Sequence, residues 1–551
     1  MKSPSSFAVV TAFLISAAQA QCPDYSQYST SQHPPLSSGR YALSWMRPDA
    51  ACRTFNSSIV EKTINDMKSV IADPDLYRIF QNSFPNSLDT AVKWRGYAAD
   101  NAEEELTFLI TGDIDAMWLR DSANQMQSYL TLLENDSSHD SLASLYRGVI
   151  NLQARYIIEA PYCNSFQAPT ESGIPPQQNQ ANPDNFTPPE STNIVFECKY
   201  ELDSLAAFLE ISTDYYEATG DVSFFQKFNW VNAIETIIST AEDLLVGTYA
   251  SDGRVNTSPY TWQRQTTSST ETLSNSGAGN PVQEGTGLVR SAFRPSDDAT
   301  IYQLFIPANM MFSRYLESCS RIMAAIGGQQ DLSDHMHTFA SSIRAAITKH
   351  GIVQDPTYGN VYAYEVDGFG SANLMDDANI PSLLSAPFLG YLSVNDTVYQ
   401  NTRKFILSTS NSYFMRGPVI NAVGGPHVGP GRAWPMASII RILTSSDDAE
   451  ITSTLKEIVS STDGLGLIHE SIDTFDQHRW SRQWFSWANG LFGQMLLDLK
   501  ERKPDSGIGR CVGDSVQWIG YGYHNTCFID QSFFWPIFEI LLEIMQCLVK
   551  V

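Results

Sequence analysis

Apolar residues recur at three- and four-residue spacing through most of the chain, the pattern of helices that bury one stripe and leave the other to solvent. The stretches are Ile59 to Ile71, Met117 to Leu133, Ser141 to Ile158, Leu202 to Thr219, Trp230 to Leu245 and Ile301 to Ile326. The pattern resumes at Met336 to His350, Thr397 to Leu407, Ala433 to Leu443, Ile451 to Ser460 and Gln483 to Glu501, so about a dozen helices are predicted. Strand-like alternation is sparse and there is no βαβ rhythm. Two stretches break the pattern: Asn164 to Thr192 is crowded with Pro, Asn and Gln, and Tyr249 to Gln283 is rich in Ser and Thr. Long loops of this kind build sites on a helical scaffold. Helices in pairs, with polar words in the loops between them, predict an α/α toroid. A helical solenoid is the structural alternative, but it would show a clearer repeat. The stretch Phe533 to Val551 is very apolar, yet Glu539 and Glu543 interrupt it, so it reads as a core-packing helix and no membrane span is expected.

Composition narrows the class. With 551 residues, 43% hydrophobic and 17% charged, the chain can bury a large core. A formal net charge of −25 argues against nucleic acid as a partner, because phosphate needs a basic face. The first twenty residues read as a signal peptide: Lys2, an apolar run from Phe7 to Ala18, and the small-x-small word Ala18-Gln19-Ala20. The mature chain would then start at Gln21 and be secreted. Sequons at Asn56, Asn135, Asn185, Asn256 and Asn395 agree with that compartment. The eight cysteines are Cys22, Cys52, Cys163, Cys198, Cys319, Cys511, Cys527 and Cys547, with no C-x-x-C pair, so disulfides are expected and a zinc site is not. Cys163 and Cys198 bracket the first polar loop and are expected to pair.

The candidate chemistry lies in tight words of Asp, Arg, Trp and Gly. Asp113, Asp115, Trp118, Arg120 and Asp121 open one predicted helix. Asp113 and Asp115 can cap its first turn. Arg120 and Asp121 suit adjacent sugar hydroxyls, and the Trp118 indole suits the apolar face of a pyranose; a buried ion pair beside a core Trp is the alternative. Asp376 and Asp377 precede another predicted helix, one as a cap and the other free to bind a hydroxyl. A glycine-rich loop, Gly424 to Pro435, carries His427, Arg432 and Trp434 and lacks the spacing of a phosphate loop. Trp484 and Trp487 are spaced to share a helix face. Two acidic words complete the set: Ser296-Asp297-Asp298, behind Arg294, and His469-Glu470-Ser471. Cleaving a glycosidic bond takes two carboxyl groups, one to protonate the leaving oxygen and one to activate water or attack. Asp298 beside Asp297 would raise one pKa, Arg294 would hold the other carboxyl ionised, and His469 would orient or titrate Glu470. The competing reading of the first word is a cap for the helix predicted near Thr300.

Taken together these words resemble glycoside hydrolase family 125, the exo-acting α-1,6-mannosidases. The matching segments are TGDIDAMWLRDSANQM from Thr111, FRPSDDATIYQLFIPANM from Phe293, LMDDANIPSLLSAPFLG from Leu374, GPHVGPGRAWPM from Gly425, LIHESID from Leu467 and RQWFSWANGLFG from Arg482. The resemblance implies an all-α (α/α)6 barrel over residues 44–504, after a signal peptide at 1–20 and an N-terminal segment at 21–43, with a C-terminal extension at 505–551. It implies hydrolysis of a non-reducing terminal α-1,6-linked mannose with inversion, with neither metal nor cofactor. Asp297 would be the general acid and Glu470 the general base. Trp118, Arg120, Asp121, Arg294, Asp298, Asp377, Arg432, Trp434 and Trp487 would bind the sugar. The expected partner is a mannose-containing oligosaccharide or glycoprotein glycan, met by a monomer. Another α/α-barrel glycosidase, an α-glucosidase or a calcium-dependent α-1,2-mannosidase, is the alternative enzyme, and an inactive sugar-binding protein the alternative to an enzyme. The chain departs from the family after Pro504 and at Ile472 to Phe475.

Overall fold

The computed structural model describes residues 22–179 and 183–503. Among them are twelve helices of nine or more residues: α1 Ser58–Met67, α2 Pro74–Ser83, α3 Leu119–Gln127, α4 Leu142–Glu159, α5 Leu202–Thr219, α6 Trp230–Asp243, α7 Ile306–Ile326, α8 Gln330–His350, α9 Thr397–Ile406, α10 Pro435–Leu443, α11 Asp448–Ser460 and α12 Ser486–Arg502. They form two layers. Helices α3, α5 and α7 pack in succession, and α12 packs against α3 on one side and α10 on the other. This inner set is buried along its length: every residue of α3 is buried, and so is α5 from Leu202 to Tyr215. Outside it, α4 and α6 pack together, α8 covers α7, α11 covers α10 and α2 covers α12. Helices α8 and α11 keep one apolar stripe and a polar outer face. The alternation of inner and outer helices is that of an (α/α)6 barrel.

One inner position is not a helix. Residues 379–392 run as consecutive bends and turns between α8 and α9, with Ile380, Leu383, Leu384 and Leu389 buried. The helix expected after Asp376-Asp377 therefore does not form. Pro381 and Pro387 each lack an amide donor and crowd the preceding turn, so a helix there would be broken twice. Asp376 still does a cap's work: its carboxylate accepts the Leu383 and Leu384 amides at 2.9 and 3.0 Å.

Two other expectations change. Helix α2 lies outside the expected set: its buried face mixes Leu76, Ile79 and Phe80 with the polar Asp75, Arg78, Asn82 and Ser83. Arg78 donates to the carbonyl of Leu43 at 3.0 Å, and Asn82 to those of Ser44 and Gly466 at 3.0 and 2.9 Å, so α2 clamps the N-terminal segment to the barrel. Helices α3, α7 and α12 start two to five residues later than the pattern suggested, at Leu119, Ile306 and Ser486, because a short strand or loop occupies each start. Three three-stranded antiparallel sheets stand at the starts of α3, α7 and α10: Met117–Trp118 with Ser165–Phe166 and Val195–Glu197; Leu304–Phe305 with Glu365–Val366 and Ala372–Asn373; and Arg432–Ala433 with Ser471–Asp473 and Asp476–Ser481. Each feeds an inner helix, so loops from distant parts of the chain meet at one end of the barrel.

Cys163 pairs with Cys198 as expected, Cys22 pairs with Cys52, and Cys319 is buried and unpaired. No helix of the described residues is long and apolar enough to cross a membrane. The signal-peptide stretch 1–20, Cys511, Cys527, Cys547 and the apolar Phe533 to Val551 run lie outside the described residues.

The barrel also encloses a pair of carboxyls on α5, Glu210 and Asp214, which share a face four residues apart. Burial pushes Glu210 up to about 7, and burial together with Glu210 pushes Asp214 well above the usual range. A raised folded pKa for an acid gives stability that is present below the unfolded value and lost as pH rises through the folded one. Glu210→Gln is therefore expected to raise the thermal midpoint by several degrees above pH 7 and to change it little in mild acid, as measured by thermal unfolding across pH. An equal shift at every pH would reject the titration as the cause.

Candidate active site

The Asp297 word folds as a tight turn, not as a helix cap. Phe293 and Ala299 form an antiparallel bridge. Between them Pro295 takes the position its fixed φ favours, and the Asp297 amide closes the turn on the Arg294 carbonyl at 2.9 Å. Asp297 itself lies at φ +66°, a left-handed conformation that costs about 1–2 kcal/mol outside glycine. The turn makes the two aspartates diverge. Asp298 is 2% exposed; its carboxylate accepts Ser296 Oγ at 2.7 Å and faces His427 Nδ1 at 3.6 Å. The Asp297 side chain is 26% exposed and opens into a pocket.

Electrostatics at Asp297 run opposite to the expectation. Burial would raise its pKa, but Lys199, Arg120, a hydrogen bond to Glu201, and His427 outweigh burial and hold it at about 2. Arg294 plays no direct part, since its Nε pairs with Glu365 at 2.7 Å. The wall behind Asp297 is built around Arg120, which meets Glu201 at 2.5 Å, Asp203 at 3.1 Å, Asp121 at 3.5 Å and Asp297 at 3.8 Å. Burial pushes Asp121 and Asp203 up to about 6 against the pull of that guanidinium, and pushes Glu201 well above the usual glutamate range. The Cys163–Cys198 bridge pins this wall, because the neighbouring Lys199 amide donates to Asn164 Oδ1 at 3.1 Å.

Glu470 stands at the root of a hairpin. Ser471 pairs with Ser481 in the strand ladder, which sets Glu470 beside Arg482. The carboxylate accepts Ser481 Oγ at 2.7 Å and Arg482 Nε at 3.0 Å. Arg482 reaches on to Asp113, and Lys93 takes Asp115 at 2.8 Å, so neither aspartate caps α3. His469 turns away: its ring stacks on Trp480 with centroids 4.8 Å apart, and burial lowers its pKa to about 4. It is neutral near pH 7 and does not titrate with Glu470. His427 is the histidine that matters electrostatically. Burial alone would lower it, but Asp298, Glu470 and Asp297 push it up to about 9.

One pocket brings together Trp118, Arg120, Asp121, Asp297, Trp434, Glu470 and Trp487 from the expected set. The Nε1–H donors of Trp118, Trp434 and Trp487 have no protein partner. Arg294, Asp298 and Asp377 lie buried behind the wall, Asp377 fixing Asn379, which itself lines the pocket, at 3.0 and 3.1 Å. Arg432 departs from expectation: it sits in a strand paired with Asp473, and its guanidinium is spent on the Arg479 carbonyl at 2.6 Å. Trp484 also separates from Trp487. It precedes α12, packs with Met46, Leu465 and Leu467, and donates to Asn86 at 2.6 Å. The sequence reading passed over Lys199, Glu201, Asp203 and Arg482. Glu201 and Asp203 had a visible signal, two carboxyls flanking Leu202 at the start of a helix whose residues Leu205 to Leu209 are all apolar.

Two carboxyl groups on separate loops, facing one pocket with arginines and indoles at the end of a helical toroid, define a glycoside hydrolase. Residues 73–497 match the family model described as metal-independent alpha-mannosidase. The chain is 47% identical over 485 residues, 88% of its own length and 93% of the other's, to the meiotically up-regulated gene 157 protein of Schizosaccharomyces pombe. It is also similar to a solved metal-independent alpha mannosidase of Streptococcus pneumoniae in a non-productive complex with α-1,6-mannobiose, with a TM-score of 0.71 and 32% identity over 82% of this chain and 100% of that one. The chain belongs to glycoside hydrolase family 125 and is an α-mannosidase.

Proposed function

We propose that the chain removes non-reducing terminal α-1,6-linked mannose with inversion, Asp297 acting as general acid and Glu470 as general base. The observation that carries this is the shared pocket: the two carboxyls reach it from separate loops, and Asp297, not Asp298, is the aspartate open to it. Glu470 is set up as a base by Ser481 and Arg482, which stabilise its carboxylate and aim it. A water held by Glu470 attacks the anomeric carbon, and Asp297 protonates the departing oxygen. Trp118, Trp434 and Trp487 offer apolar faces and free indole donors to the ring and its hydroxyls, and Arg120 and Asp121 offer charged partners. The similar streptococcal protein, captured in a non-productive complex with α-1,6-mannobiose, supports the choice of linkage. The natural substrate is then a mannose-bearing oligosaccharide or protein glycan. Secretion belongs to the same reading, supported by the leader-like N-terminus, the sequons and two disulfides.

Proton NMR of α-1,6-mannobiose hydrolysis tests linkage, sugar and stereochemistry together. β-Mannose should appear first and then mutarotate, with no loss of rate in a chelator. First appearance of α-mannose would reject inversion, and an intact substrate would reject the linkage. A chain that binds mannobiose without cleaving it would support the sugar-binding alternative.

A further inference from the structure

Glu201 is fully enclosed in the acid wall, its side chain 0% exposed. Its Oε2 accepts Arg120 Nη1 at 2.5 Å and Ser204 Oγ at 3.1 Å. Its Oε1 lies toward Asp297. The Asn164 amide bridges the two, donating to Glu201 Oε1 at 3.3 Å and to Asp297 Oδ1 at 3.2 Å. Two carboxyls that converge on one amide and one guanidinium in a buried site repel each other when both are ionised, which favours a proton on one of them. Charge balance requires the same. Asp121, Glu201, Asp203 and Asp297 surround Arg120. Lys199 adds a second cation but also faces Glu197 at 3.6 Å, His427 acts on Asp297 from the glycine-rich loop, and Arg482 acts on Asp121. In so buried a site this many carboxylates do not all ionise.

We propose that Glu201 stores the proton that Asp297 delivers, the two carboxyls holding one proton in common. This rests on Asp297 being the general acid. In the step, the O–H bond of Glu201 breaks as one forms on Asp297. The Asp297 proton passes to the glycosidic oxygen as its bond to the anomeric carbon breaks, while Glu470 takes a proton from the attacking water. Glu201 is left as a carboxylate against Arg120. Glu470 then releases its proton to solvent and the Glu201–Asp297 pair takes one up, so nothing beyond water is consumed. The resting arrangement agrees: burial favours the neutral form of Glu201, and Lys199 and Arg120 favour the ionised form of Asp297. Glu201 is thus a positioning residue that acts through Asp297.

The test compares kcat for α-1,6-mannobiose with kcat for α-mannosyl fluoride, whose leaving group needs no proton, across acidic and neutral pH. Glu201→Gln should lose about 10²–10⁴-fold on mannobiose and less than about tenfold on the fluoride. Its alkaline limb on mannobiose should move to lower pH, because Asp297 alone beside two cations keeps a proton only in acid. Glu201→Asp should recover part of the loss. Equal losses on both substrates, or an unmoved limb, would overturn the inference. Should Glu201→Gln not fold, the wild type decides: a mannobiose limb at or below the ordinary aspartate range overturns it, and a limb well above that range that is missing with the fluoride supports it. A wild type inactive on both substrates would overturn the mannosidase reading instead.

Discussion

Glu470→Gln is expected to remove turnover of α-1,6-mannobiose by about 10²–10⁴-fold or more while leaving the folded state intact. The amide cannot take a proton from water, so the attack loses its base. It can still accept from Arg482 Nε, and the Ser481 hydroxyl can reverse its direction to meet the new NH₂, since it already pairs with Ser471 Oγ at 2.6 Å. The Arg482 guanidinium keeps its second carboxylate in Asp113, so no cation is stranded. The side chain of Arg482 is 30% exposed, and the lost ion pair therefore contributes little to stability. Steady-state kinetics beside thermal unfolding checks both halves. Retained turnover would remove Glu470 from the role of base, and a collapsed melting curve would show that the residue holds the hairpin instead.

The helical ring was legible because most of its helices obey the rule behind hydrophobic periodicity: an outer helix hides one stripe and an inner one hides all sides. Helix α2 escaped because its short apolar stripe, Leu76, Ile79 and Phe80, is diluted by Arg78 and Asn82, which bury polar atoms against backbone carbonyls. The segment after Asp377 was misread for the opposite reason: its apolar residues are buried as a helix's would be, but Pro381 and Pro387 force turns. The two acidic words were legible as a pair, yet their surroundings were not. Pro295 already favours the turn that splits Asp297 from Asp298, and that signal was available. The partners of Asp297 were hidden by distance along the chain: Arg120, Asn164, Lys199 and Glu201 meet it only when three loops converge. Arg432 shows the converse. The family resemblance placed Arg432 in the pocket with Trp434, but Arg432 pairs with Asp473 in the strand ladder and its guanidinium is taken by the Arg479 carbonyl, partners 41 and 47 residues away that no local pattern shows.

Replacing the central cation of the acid wall should have the largest effect on stability. Arg120→Met keeps the apolar length of the side chain and removes its charge, taking from Asp121, Glu201, Asp203 and Asp297 the cation they share, while Lys199 still acts on Asp297 and Arg482 on Asp121. Breaking a buried pair from one side costs about 3–5 kcal/mol, because the surviving carboxylate is left desolvated and unmatched. The loss should depend on pH in a definite direction. Without Arg120 the folded pKa values of Asp121, Glu201 and Asp203, already raised by burial, climb further. An acid with a raised folded pKa adds stability below its unfolded value and loses it as pH rises through the folded one. The variant's deficit should therefore be small in mild acid and open as pH rises through and beyond about 6, where Asp121 and Asp203 already titrate in the intact wall. Adding Glu201→Gln removes one of the unmatched charges, so the double variant should recover part of the midpoint near pH 7 and none of the activity. Denaturant midpoints across pH for the three proteins measure this. A deficit of equal size at every pH would mean that Arg120 acts through packing, and the wall would then lose its electrostatic account.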